Sequence, residues 1–163
     1  MKCTTAAGTA FVLAIVGTSV AAQKTAASDR VRNIENAAAE IGAIQKKNGS
    51  DGAFAVISEC YKRELAHATA LTPQLEACMA QDIVVSQVTA AFYSRLSAEG
   101  RRKAGGEEPE AVLKAMNGRV VGTMARFNVP QDAALVFSGI VKTRGMEAYG
   151  RAQFPDQFPA KKN

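Results

Sequence analysis

The chain has 163 residues, a formal net charge of +5, and 47% hydrophobic against 21% charged residues. That balance excludes a disordered polyelectrolyte and suits one globular domain able to bury its own core. The basic residues are scattered, with short runs such as Arg101-Arg102-Lys103 and Lys161-Lys162, and no reading motif for nucleic acid accompanies them, so that partner is excluded.

The first predicted element is a leader. Met1-Lys2 is a basic start, Thr4 to Ala22 carries no charge, and Phe11-Val12-Leu13-Ala14-Ile15-Val16 is apolar. Small residues follow, in the order of a secretory signal peptide over residues 1–22. Ser19 and Ala21 place the cut before Ala22; Val20 and Ala22 place it before Gln23. A membrane anchor is the rival reading, but a spanning helix needs about 20 predominantly apolar residues, and Thr, Gly and Ser dilute this one. The expectation is a secreted chain, periplasmic if bacterial, with no stable membrane insertion after cleavage. Cys3 leaves with the leader.

The first mature helix is expected to start at Ser28 as N-cap, with Val31, Ile34, Ala38 and Ile41 on one face. The polar stretch Lys46 to Gly52 ends it. Asn48-Gly49-Ser50 also matches a glycosylation sequon; in a sequence with this Ala-rich leader, the match is read as accidental.

A helical hairpin comes next. Phe54, Ile57, Tyr61, Leu65 and Ala68 recur at spacings of three and four. Thr72-Pro73 reads as an N-cap followed by proline at the first helical position. Leu75, Cys78, Met79, Asp82, Val85, Thr89, Phe92 and Leu96 form the face of the second helix. With Cys3 removed, Cys60 and Cys78 are the remaining cysteines. In an oxidising space such a pair is expected to be bridged, and folding the hairpin sets the two positions opposite each other. The spacing is unlike Cys-x-x-Cys, so the bond is read as a staple and not as redox chemistry.

Glu99 to Gly106 is polar and basic and reads as a flexible loop. Pro109 opens another helix, with Glu107, Glu108 and Glu110 at its positive end and Val112, Met116, Val120, Met124 and Phe127 on its buried side. Gly118 and Gly122 are spaced for close helix contact. Val129-Pro130 starts a last helix that buries Phe137, Ile140 and Val141, and Gly145 is a point of interruption. Residues 154–163 form an extended Phe-Pro tail, because neither Pro155 nor Pro159 fits a helix interior. Phe154 and Phe158 cover the chain's own core or dock on a partner.

The fold expected is all-α: a small antiparallel bundle of about five helices over residues 23–153, with one disulfide across a helical hairpin. Catalytic sets are not found. Glu64 and His67 have the spacing of one half of a di-iron site, but His67 is the sole histidine, so neither that site nor a zinc set can be completed, and no metal or other cofactor is expected. A carboxylate on an apolar face needs a partner, and Asp82 is such a group, with Tyr61 or Arg63 the expected partners. Three functional readings follow. The first is a non-enzymatic protein that binds a protein or envelope component through a helix groove or the Phe-Pro tail. The others are a carboxylate-using hydrolase or lytic enzyme of the cell wall, and a periplasmic stress or chaperone-like factor.

Overall fold

A computed structural model describes residues 18–158. Most of the expected leader, residues 1–17, and the end of the tail, residues 159–163, lie outside the described residues. Six α-helices follow in order: α1 Thr18–Leu65, α2 Pro73–Tyr93, α3 Ala98–Lys103, α4 Pro109–Arg126, α5 Gln131–Ile140 and α6 Met146–Gln153, with a π-helical turn Val141–Gly145 joining the last two. The fold is all-α, with no strand among the described residues.

Helix α1 begins before Ser28, so Ser28 lies inside a helix and does not cap one. The expected break at Lys46 to Gly52 is confined to one residue. Gly49 has φ 72° and ψ −177°, a region that residues with a Cβ essentially do not enter. The chain turns back there. Before Gly49, Arg30 pairs with Glu76 at 2.6 Å, and after it Thr89 meets Ser50 at 3.4 Å, so this half of α1 runs alongside α2 in the same sense. Beyond Gly49, Tyr61 reaches Asp82 and Cys60 bonds Cys78, so the second half runs antiparallel to α2.

Helix α2 is therefore the centre of the bundle. From Leu75 to Ala90 most of its residues are buried, including nine in a row from Cys78 to Ser86. A helix apolar nearly all round is one enclosed by neighbours rather than facing one partner. Thr72 caps it as expected, accepting a hydrogen bond from the Leu75 backbone N–H at 3.1 Å, with Pro73 beginning the helix. It ends at Tyr93, so Leu96 lies beyond it, and Phe92 is exposed.

The disulfide Cys60–Cys78 spans this hairpin with a Cα–Cα distance of 5.7 Å. Ile34, Ile41, Ile57, Leu75, Met79 and Phe137 are among the wholly or almost wholly buried residues that make the core. α6 lies along the first half of α1. Gly42 permits this: a Cβ there would stand 3.1 Å from the Tyr149 carbonyl oxygen and 3.2 Å from Ala152 Cβ.

Two further expectations are corrected and one is refined. Glu99 to Gly106 is not wholly a loop, because Ser97 caps the short helix α3 by accepting from the Gly100 N–H at 3.1 Å. Gly145 does mark an interruption of the last α-helix, but as the end of a π-helical turn and not as a break in the chain's helical path. It is buried against Ile34 and Val84, and the chain passes through it as a π-helical turn. The tail is not extended over residues 154–158. The Phe154 and Phe158 N–H groups donate to Gly150 and Phe154 carbonyls at 2.8 and 3.2 Å, making a turn that lays the Phe158 ring on Gly150.

Helix α4 ends in a left-handed residue, Asn128 at φ 51°. The Val129 and Asn128 N–H groups donate to the Met124 and Ala125 carbonyls at 3.0 and 3.1 Å, which is the hydrogen-bond pair of a Schellman cap. It redirects the chain into Pro130 and α5. Among the described residues, no helix is long and apolar enough to cross a membrane.

Candidate functional site

Two of the concave regions against α4 hold the residues of interest. The first is a cleft of about 430 Å³ between the second half of α1 and α4, lined also by Gly105 and Glu107 of the segment before α4. Phe54, Ile57 and Val112 give it apolar walls, Asp51 and Glu107 stand at its rim, and Tyr61 and Arg119 line it as well.

Asp82 is wholly buried, and both its oxygens are engaged. Arg119 donates from Nε to Oδ2 at 2.8 Å and from Nη2 to Oδ1 at 2.7 Å. Ser86 donates to Oδ1 at 3.1 Å, and Tyr61 donates to Oδ2 at 3.3 Å. A buried carboxylate without such partners would cost several kcal/mol of desolvation; a two-pronged guanidinium and two hydroxyls offset it. The electrostatics follow. The Arg119 pKa is raised, chiefly by its hydrogen bonds to Asp82. The Tyr61 phenol is pushed up by burial first and by the Asp82 charge second.

Of the two partners expected for Asp82, Tyr61 is in place and Arg63 is not. Arg63 points elsewhere and pairs with Glu64 at 2.8 Å. Arg119 takes its role, and the sequence carried a signal for it: Val112, Met116 and Thr123 are buried at the spacings that also bring Arg119 to that side. Because Asp82 is sealed from solvent, its carboxylate does not face a substrate. It fixes the Arg119 guanidinium, whose side chain is 40% exposed. His67 lies in the exposed connection after α1, apart from this network.

The second region is a groove of about 420 Å³ between α4 and α5, floored by Ile83 of α2. Its walls are Leu113, Met116, Val120 and Val121 of α4 and Leu135 of α5. Val121 and Leu135 are 61% and 66% exposed, and the neighbouring Val136 is 57% exposed. Lys142 is the charged residue in its lining, and no ion pair holds it among the described residues. The groove exists because α5 buries Phe137 alone and stands off from α4. Met116 and Met124 add unbranched thioether chains that adapt to the shape pressed against them.

The remaining sequence candidates fall outside both regions. Phe154 and Phe158 are 47% and 41% exposed, beside α6. Gly118 and Gly122 face open space, with no atom within 4 Å of a Cβ placed on either, so they make no close helix contact within this chain.

Comparison with protein-family models, with curated proteins and with solved structures finds no match. The functional reading therefore rests on the residues of this chain.

Proposed function

We propose that this chain is exported to an oxidising compartment, the periplasm in a bacterium, and works there as a non-enzymatic interaction protein. Its partner is a protein that lays an amphipathic helix in the α4–α5 groove, apolar side down, with an acidic residue toward Lys142. The observation that carries this reading is the exposure of Val121 and Leu135 on the two walls of one apolar groove. Exposed apolar residues scattered singly are ordinary, whereas a contiguous set rimmed by polar residues marks an interaction surface. From Leu113 to Met124 the groove runs along three turns of α4, roughly 16 Å, a length that suits a short docked helix. Lys142 supplies the charge that orients it. The disulfide and the N-terminal order of charge, apolar run and small residues support the oxidising compartment.

The test is photo-crosslinking in cells from a reactive residue placed at Leu135, with exposed Glu40 of α1, which does not line the groove, as the control position. The expected result is one crosslinked species whose partner peptide is an amphipathic helix with an acidic residue, lost on Val121→Glu. Equal labelling from both positions, or labelling indifferent to Val121→Glu, would contradict the reading.

A further inference from the structure

The α1–α4 cleft is separate from the α4–α5 groove and carries a different chemistry. We propose that it is a second binding site, for a ligand with a protonated amine on an apolar body.

The argument begins with the charges that line it. Arg119 does not make the cleft cationic, because Asp82 lies against the guanidinium at 2.7 and 2.8 Å and cancels it. What remains are the carboxylates of Asp51 and Glu107. Each is exposed, and neither has an ion pair or hydrogen bond among the described residues.

Helix ends weaken the negative charge without removing it. Asp51 follows the break at Gly49, and Glu107 precedes α4. Each helix start contributes roughly half a positive charge, so two carboxylates keep the rim net negative. In a protein of net charge +5, a local excess of carboxylate is a selective feature.

The walls supply the rest of the recognition. Phe54, Tyr61 and Tyr93 bring three aromatic rings to the lining, and Ile57 and Val112 add aliphatic surface. A cation beside aromatic faces is attracted by their quadrupoles, and an apolar body leaves water against such walls. The cleft volume of about 430 Å³ is that of a small-molecule site. Gly106 sets how closely the Gly105–Glu107 segment approaches the cleft's Tyr93. A Cβ there would stand 2.5 Å from the Tyr93 ring, so glycine lets the segment approach Tyr93 closely.

The experiment is a chemical-shift titration of the isotopically labelled full chain with three probes of one shape: phenethylamine, phenethyl alcohol and 3-phenylpropionate. The expected result is saturable shifts at Phe54, Ser58, Tyr93 and Ala115 with the amine, and binding at least fivefold weaker for the alcohol and weaker again for the anion. The double variant Asp51→Asn with Glu107→Gln should lose at least fivefold in amine affinity while keeping the amide spectrum of the folded chain, with only the small fall in melting temperature expected from two lost helix-start charges. Equal binding of alcohol and amine, preference for the anion, an unaffected double variant, or shifts scattered outside the cleft would each overturn the proposal. None of these results bears on the α4–α5 groove, whose crosslinking test is independent.

Discussion

Arg119 grips Asp82 through two hydrogen bonds across 37 positions of sequence, and so ties α4 to the central helix α2. The carboxylate is wholly buried, whereas the arginine is partly in solvent. The pair is therefore asymmetric. Removing the cation strands a charge in the core; removing the anion releases an arginine that can turn outward.

Arg119→Met should accordingly destabilise more than Asp82→Asn. Stranding a buried charge costs about 3–5 kcal/mol, with the lower end expected because Tyr61 and Ser86 still donate to Asp82. Urea unfolding of the two variants and their combination checks this. The double variant should be more stable than Arg119→Met alone. Equal losses for the two single variants would contradict the asymmetry.

Reduction should loosen the α1–α2 hairpin. The Cys60–Cys78 bond closes a loop with a sequence separation of 18, which in the chain-entropy model stabilises by about 3 kcal/mol. A Cys60→Ala, Cys78→Ala variant, compared with the oxidised chain by denaturant midpoint at unchanged slope, measures it. A change below about 0.5 kcal/mol would mean that the helices hold without the staple.

The fold should weaken in alkali, with Tyr61 as a principal cause. Burial raises its pKa above the unfolded value of about 10. The stability it contributes is complete below about pH 10 and is lost above it, because the unfolded chain then releases a proton that the folded chain keeps. Tyr149 is shifted the same way by burial. Each pH unit in that range costs at most about 1.4 kcal/mol for a buried tyrosine. Unfolding midpoints at about pH 9 and about pH 11, with Tyr61→Phe beside the parent, provide the measurement. The variant should lose less between the two pH values, and parallel losses would remove Tyr61 as the cause.

Gly49→Ala should destabilise by about 1–3 kcal/mol. Nothing lies within 4 Å of a Cβ placed there, so the loss is one of backbone conformation and not of crowding. Gly118→Ala, also with open space around it but inside regular α4, is the contrast. It should be neutral or stabilising, since alanine favours a helix interior by up to about 1 kcal/mol over glycine. The ordering of the two melting temperatures decides the matter.

Local chemistry made parts of the fold legible in the sequence. Thr72-Pro73 specifies a helix start through one hydroxyl and one missing N–H, and the structure has both in place. The hairpin register sets Cys60 opposite Cys78, and the structure has the bond. Asp82 stood out as a charge on an apolar face, and that alone required a buried partner. Which partner it takes depends on α4 packing against α2, whereas sequence proximity favours Arg63 over the more distant Arg119. The tail shows the same limit. Its prolines forbid a helix interior, but they do not specify extension, and the turn at Phe154 to Phe158 forms because Gly150 leaves room for the Phe158 ring. The α4–α5 groove was not legible at all, since its shape depends on where the Schellman cap at Asn128 sends the chain.

The proposed function requires that the disulfide-bonded chain be exported from the cytoplasm. Its most direct test is to express the full-length chain in a bacterium, isolate the periplasm, and take the intact mass before and after reduction. The account predicts a periplasmic chain beginning at Ala22 or Gln23, gaining about two hydrogens on reduction as Cys60 and Cys78 separate. An uncut, fully reduced chain retained in the cytoplasm would contradict it.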